Sequence, residues 1–241
     1  MNPNSKESAA SISGRVVGNG YPTSDGKPMA ESDFHRDLMR DLIRALETFY
    51  ALDPNVYVSG SLLLFYEKDN KKRHVAPDIF VVWGVPKRSR ENYLFWQEEQ
   101  PPHFIIELTS SRKRRTDTGK KQSLYRDVLK VREYFLFDAT GDYLKPSMQG
   151  WRRVEGVYVP IDPINGRLPS ETTGLHLERD GRSLRLWNPQ TKAWLPTTDE
   201  RIAKAEQARQ DAEKARQQIE AETARLLRLL EEAGIRVDES K

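Results

Sequence analysis

The chain contains no cysteine, which excludes disulfides, thiolate zinc sites and cysteine nucleophiles. Histidine is scarce: His35, His74, His103 and His176 are the only four, and no two stand at a metal-ligand spacing. No Gly-x-Ser-x-Gly elbow is present, so neither zinc-hydrolase nor serine-hydrolase chemistry has support. Long apolar runs are missing too, since nothing approaches the roughly 18 uncharged residues that cross a bilayer. The opening stretch MNPNSKESAASISG has no apolar centre of the kind a secretion signal needs. A cytoplasmic protein with no membrane association is expected. Thr118-Gly-Lys-Lys121 looks like part of a phosphate loop, but Arg114 stands where the earlier glycine is required.

What is present is a chain of 241 residues, 37% hydrophobic and 31% charged, with mean hydropathy -0.75. That length fits one domain of about 100–200 residues plus an appendage. The net charge of +3 is only mildly basic, short of a dedicated nucleic-acid binder, so its distribution matters more than its size. Lys87, Arg88 and Arg90 form one basic cluster, and Arg112, Lys113, Arg114 and Arg115 form another. Each follows an expected strand and reads either as a polyanion contact or as solvated loop charge.

Residues 1–28 are rich in Ser, Asn and Gly without periodicity and read as a flexible arm. Residues 29–196 read as the folded domain. Phe34, Leu38, Leu42, Leu46 and Phe49 recur at helical spacing behind Ser32 or Asp33 as N-cap. Tyr57, Val58 and Leu62 to Tyr66 read as two short strands or one bent strand near Gly60, with a hairpin turn over residues 68–73 and a long charged loop after Trp83. Asp78-Ile-Phe-Val-Val-Trp83 and Phe104-Ile-Ile-Glu-Leu-Thr109 are compact apolar runs suited to central strands, a helix follows from about Thr116 to Lys130 with Leu124, Val128 and Leu129 on its apolar side and Tyr125 beside them, and Glu133 to Phe137 forms the next strand. Strand, helix, strand at this spacing predicts a right-handed βαβ unit. Gly150 to Pro160 and Leu175 to Trp187 read as further hairpins that extend or flank the sheet.

Residues 197–235 change to Ala, Glu, Gln, Arg and Lys, before a short tail over 236–241. Ala205, Ala212, Ile219, Leu226 and Ala233 fall every seventh residue, with Ala208, Ala215 and Leu229 between them and Glu222 as the exception. The pattern reads as a coiled coil joining copies of the chain, possible as a dimer, or as a single solvated helix.

Asp78 and Glu107 are the informative residues. Each interrupts or borders an apolar strand, where an isolated carboxylate would cost several kcal/mol to bury. Either a hard cation such as Mg²⁺ lies between them, with the Leu108 carbonyl as a third oxygen ligand, or each acid pairs with an Arg or a backbone amide.

Four blocks then carry a resemblance: Val75-Ala-Pro-Asp-Ile-Phe-Val-Val82, Pro102-His-Phe-Ile-Ile-Glu-Leu-Thr-Ser-Ser111, Asp117-Thr-Gly-Lys-Lys-Gln-Ser-Leu-Tyr125 and Val131-Arg-Glu-Tyr-Phe-Leu-Phe-Asp138. In order and spacing they resemble the restriction-endonuclease-like family greatly expanded in cyanobacteria, within the PD-(D/E)XK nuclease superfamily, over about residues 30–190. The resemblance implies an α/β fold, with a restriction-endonuclease-like mixed central sheet flanked by helices, and a Mg²⁺- or Mn²⁺-dependent endonuclease acting on nucleic acid, with DNA the expected substrate. It implies Asp78 and Glu107 as metal-binding acids. The superfamily lysine position holds Thr109, so the resemblance assigns that role to Lys121 on the following helix, on the side shared with Leu124, Tyr125 and Val128, while Lys120 points about 100° away. Glu31, His35 and Tyr125 are supporting candidates, and Lys87, Arg88, Lys113, Arg114 and Arg115 are candidates for holding the polyanion. The rival expectation is a nuclease-like binding or assembly module without catalysis.

Overall fold

A computed structural model, describing residues 18–24, 32–109 and 115–234, carries the first periodic stretch into helix α1 (Asp33–Phe49). Ser32 caps it by accepting from the His35 amide at 3.2 Å, and Leu38, Leu42 and Leu46 supply its buried stripe. Strands follow as β1 (Val56–Ser59), β2 (Leu64–Phe65), β3 (His74–Val75), β4 (Ile79–Trp83) and β5 (Tyr93–Leu94), then a short helix α2 (Phe95–Glu98) and strand β6 (Phe104–Thr109). Helix α3 (Arg115–Ser123) runs into a π-helical turn over Leu124–Val128. Beyond it come β7 (Glu133–Asp138), β8 (Met148–Val154), β9 (Val157–Pro160), β10 (Arg167–Pro169), β11 (His176–Asp180), β12 (Ser183–Asn188), β13 (Ala193–Trp194) and helix α4 (Thr198–Glu232).

The central sheet has the order β1-β4-β6-β7-β8-β9, with β6 and β7 parallel and every other pair antiparallel. Because successive side chains alternate across a strand, β4 and β6 feed two cores at once. Ile79, Val81, Phe104, Ile106 and Leu108 join α1 and the β10-β11-β12-β13 sheet in one cluster. Phe80, Val82 and Ile105 join Tyr93, Tyr125 and Leu129 in the other. Burial on both faces is why these two strands read as continuous apolar runs.

Three expectations are corrected. The stretch before residue 29 is not wholly an unpacked arm: Tyr21 is buried against Phe65 and Trp96, and its hydroxyl accepts from the Asp69 amide at 2.8 Å. One aromatic ring among Gly, Ser and Pro leaves no periodic trace. β5 with α2 occupies a stretch that reads from sequence as loop, whereas the alternative of two short strands holds for β1 and β2, which lie in different sheets with β2 between β3 and β5. Val128 is exposed while Leu129 is buried. The Leu129 amide donates to the Leu124 carbonyl five residues back at 3.0 Å, and that wider turn carries Val128 out of the apolar side while Leu129 stays in it as expected.

The chain divides into two compact units, Met1–Leu195 and Pro196–Lys241. The second is built on α4, whose start is fixed by a capping box between Thr197 and Glu200. Ile202, Ile219, Leu226, Leu227 and Leu229 are exposed along it. No helix among the described residues is long and apolar enough to cross a membrane.

Candidate active site

Asp78 directly precedes β4, and Glu107 lies inside β6. The antiparallel register pairs Ile79 with Ile106, so one further step sets Asp78 opposite Glu107. Directly opposed residues put their side chains on one face, with Cβ atoms typically about 4.5–5.5 Å apart. Both carboxylates are buried, at 4% and 3% exposure. Asp78 Oδ2 accepts the Leu108 amide at 2.7 Å. A strand residue directs its N–H and C=O to the same side, so the Leu108 carbonyl faces the Asp78 side as well.

Glu107 is held from helix α3 and the π-helical turn. Lys121 Nζ lies 2.8 Å from both Glu107 oxygens, and the Tyr125 hydroxyl donates to Oε1 at 2.6 Å. The wide turn begins at Leu124, immediately before this tyrosine, a location in keeping with the frequent use of π-bulges at functional sites. Burial, and secondarily the Glu107 charge, pushes the Tyr125 pKa well above 10, so the phenol stays a donor across ordinary pH. Lys120 is exposed, whereas the Lys121 side chain is 20% exposed. Thr109, two residues after Glu107, is buried and carries no charge.

His35 reaches the same centre from α1, its Nε2 standing 3.8 Å from Asp78 Oδ1. The structure thus gathers Asp78, Glu107, Lys121, Tyr125 and His35. Gly60 has a part that the sequence signalled only as a bend. A Cβ at this position would stand 2.1 Å from the Asp78 carbonyl oxygen and 2.7 Å from Ile43, so only glycine lets the chain pass this close to Asp78.

The remaining candidates are placed differently. Glu31, Lys113 and Arg114 lie outside the described residues, and Arg115 opens α3. The Lys87 ammonium donates to the carbonyls of Tyr50 and Ala51 just past α1, a favourable position for a cation at a helix C-terminus. Arg88 bonds Glu98 at 2.7 Å, and Arg90 shares the same carboxylate while lying 4.1 Å over the Tyr57 ring.

Among the described residues no group of three or more His, Asp or Glu side chains forms a metal site. The donor set of two opposed carboxylates and a neighbouring backbone carbonyl nevertheless fits Mg²⁺ or Mn²⁺, because Mg²⁺ commonly binds through one or two carboxylates and completes its shell with water and phosphate.

The profile of the Uma2 family, described as "Putative restriction endonuclease", matches residues 21–186. The chain belongs to the Uma2 family. Among solved structures, one described as a "putative nuclease belonging to DUF820" from Anabaena variabilis ATCC 29413 is 16% identical, over 63% of this chain and 80% of that one, with a TM-score of 0.46. No curated protein matches. The Uma2 match takes in β1 to β11, the greater part of β12 and every member of the gathered group, and it stops before α4.

Proposed function

We propose that this Uma2 chain is a metal-dependent endonuclease that hydrolyses phosphodiester bonds, with DNA the favoured substrate. The observation that carries the reading is the meeting of Asp78, Glu107 and Lys121 in one buried group, with Tyr125 bonded to the central carboxylate. Asp78, Glu107 and the Leu108 carbonyl would hold Mg²⁺ or Mn²⁺, and Glu31 is the candidate for an additional ligand. When bound, that ion polarises the scissile phosphate and lowers the pKa of a coordinated water.

The chain's own residues supply the rest. Glu107 is kept in one orientation by Lys121 and Tyr125, and Asp78 is kept in place by the Leu108 amide and the close passage of Gly60. Lys121 brings a fixed positive charge to the edge of the group, where it can orient the attacking water and stabilise the charge that develops on the phosphate oxygens. Arg88, Arg115, Lys113 and Arg114, with Lys87, are the proposed contacts to the polyanion.

A second reading, a nuclease-like binding module joined through α4, draws on the apolar residues Ile219, Leu226 and Leu229 exposed at heptad-related positions. Incubating the chain and its Asp78→Ala variant with plasmid, single-stranded DNA and RNA in Mn²⁺, alongside calorimetric Mn²⁺ titration, separates the two. The nuclease reading expects Mn²⁺ binding with cleavage, and a folded variant without cleavage. Equal cleavage by both proteins ends it, and neither binding nor cleavage selects the module.

A further inference from the structure

Among the described residues the central sheet ends at β1, which pairs there only with β4. The Gly84 amide donates to the Asn55 carbonyl at 2.8 Å, which makes Asn55 and Gly84 a hydrogen-bonded pair of the antiparallel ladder. Bonded pairs recur every second residue, so Tyr57 and Ser59 face β4, whereas the N–H and C=O groups of Val56 and Val58 face the edge. That edge forms the floor of a groove of about 530 Å³ between α1 and the loop that follows β4. Arg44 of α1 stands on one wall and Arg88 on the other, with Ser59 at the end of the strand.

Two features connect the groove to the gathered carboxylates. Ser59 lines it, and the next residue, Gly60, is the one whose backbone passes against the Asp78 carbonyl. Its cations are also exchangeable. Arg44 is paired with Glu47 in an exposed pair of the kind that gives way to salt or to a competing anion, and Arg88, 60% exposed, is paired with a buried Glu98 carboxylate that Arg90 also holds, so Glu98 keeps a partner when Arg88 turns to an anion. On the same wall Arg90 lies over the Tyr57 ring, and Lys87, bonded to the Tyr50 and Ala51 carbonyls, adds positive charge beside Arg88.

We infer that the β1 edge groove is the track for the sugar-phosphate backbone of a nucleic-acid strand on one side of the Asp78–Glu107 centre, its phosphates taken by Arg44 and Arg88. This assignment rests on the nuclease reading and adds the path of the strand. A protein strand added to the same edge is the competing occupant. The arginine walls favour the polyanion.

The test uses the full chain and fluorescein-labelled single-stranded and double-stranded oligonucleotides, followed by anisotropy through a salt series. Arg44→Ala/Arg88→Ala, at exposed side chains, should keep its thermal transition and bind about tenfold more weakly. Losing two phosphate contacts should also flatten the slope of log K against log salt by about 1.5. Unchanged affinity and slope in the folded double variant overturn the track. If Asp78→Ala has then lost cleavage, the nuclease reading survives that result. Absence of any oligonucleotide binding by the unaltered chain sinks both. A fall in the sedimenting mass of the double variant alone, without a change in oligonucleotide affinity, assigns the edge to a protein strand instead.

Discussion

At the scale of single residues, Glu107 shows how much surrounding chemistry one buried carboxylate demands. It is 3% exposed and accepts from Lys121 and Tyr125. Tyr125→Phe keeps the ring in its pocket and removes only the donor. That change should lower cleavage about 10- to 100-fold, the usual size for a group that orients a metal ligand. In urea denaturation it should cost about 1–3 kcal/mol, because the carboxylate stays buried with one bond fewer. Asp138 is a second buried acid with a different task. Burial raises its pKa, but the amides of Tyr143, Leu144 and Gly141 and the Thr140 hydroxyl outweigh that and hold it below the usual carboxylate range. Its folded-state value is therefore depressed. The stability it contributes is fully present above the unfolded value of about 3.9 and fades as pH falls through the lower folded value. Urea midpoints measured from pH 6 to pH 3 should fall less steeply in Asp138→Asn than in the unaltered chain, and the variant should be about 1–3 kcal/mol less stable at neutral pH.

Among the elements, the π-helical turn decides most. A regular helix through residues 116–130 would direct both Val128 and Leu129 inward, four residues after Leu124 and Tyr125. The wider turn leaves Val128 51% exposed and keeps Leu129 buried at 1%. Leu129→Ala should then cost about 2–5 kcal/mol as a core truncation, whereas Val128→Ala should stay within about 0.5 kcal/mol. A core-sized cost for Val128→Ala as well, in thermal or urea melts, would mean that the turn is an ordinary α-helix. The same turn lets Tyr125 and Lys121, four residues apart, converge on one carboxylate from the helix side while β6 presents that carboxylate from the sheet.

For the whole molecule, all three buried clusters draw their members from residues 21–195, while α4 belongs to the second unit. A chain ending at Leu195 should retain the cooperative melt of the longer protein. If α4 joins copies of the chain, sedimentation equilibrium should show the full chain at a multiple of its 27.9 kDa and the shortened chain as a monomer. An equal association state for both would remove α4 from the assembly question. The exposed Ile219, Leu226 and Leu229 make the experiment worthwhile, and Glu222, on the same heptad pattern, is the position that would weaken such a seam.

Sequence by itself determined the features that depend on local period and on chemical incongruity. The α1 stripe, the apolar runs of β4 and β6, the strand-helix-strand order around α3, and two acids set in apolar strands could all be recognised there, because side-chain alternation and the cost of burying charge are properties of short segments. Lys121, rather than Lys120, could be named because helical phase over four residues separates them. Only the tertiary structure decided that β2 leaves the β1 sheet, that Tyr21 is buried, that a π-turn carries Val128 out to solvent beside the buried Leu129, and that Gly60 must be small. Those outcomes depend on contacts between residues distant in the chain, and on backbone hydrogen bonds that side-chain patterns do not encode.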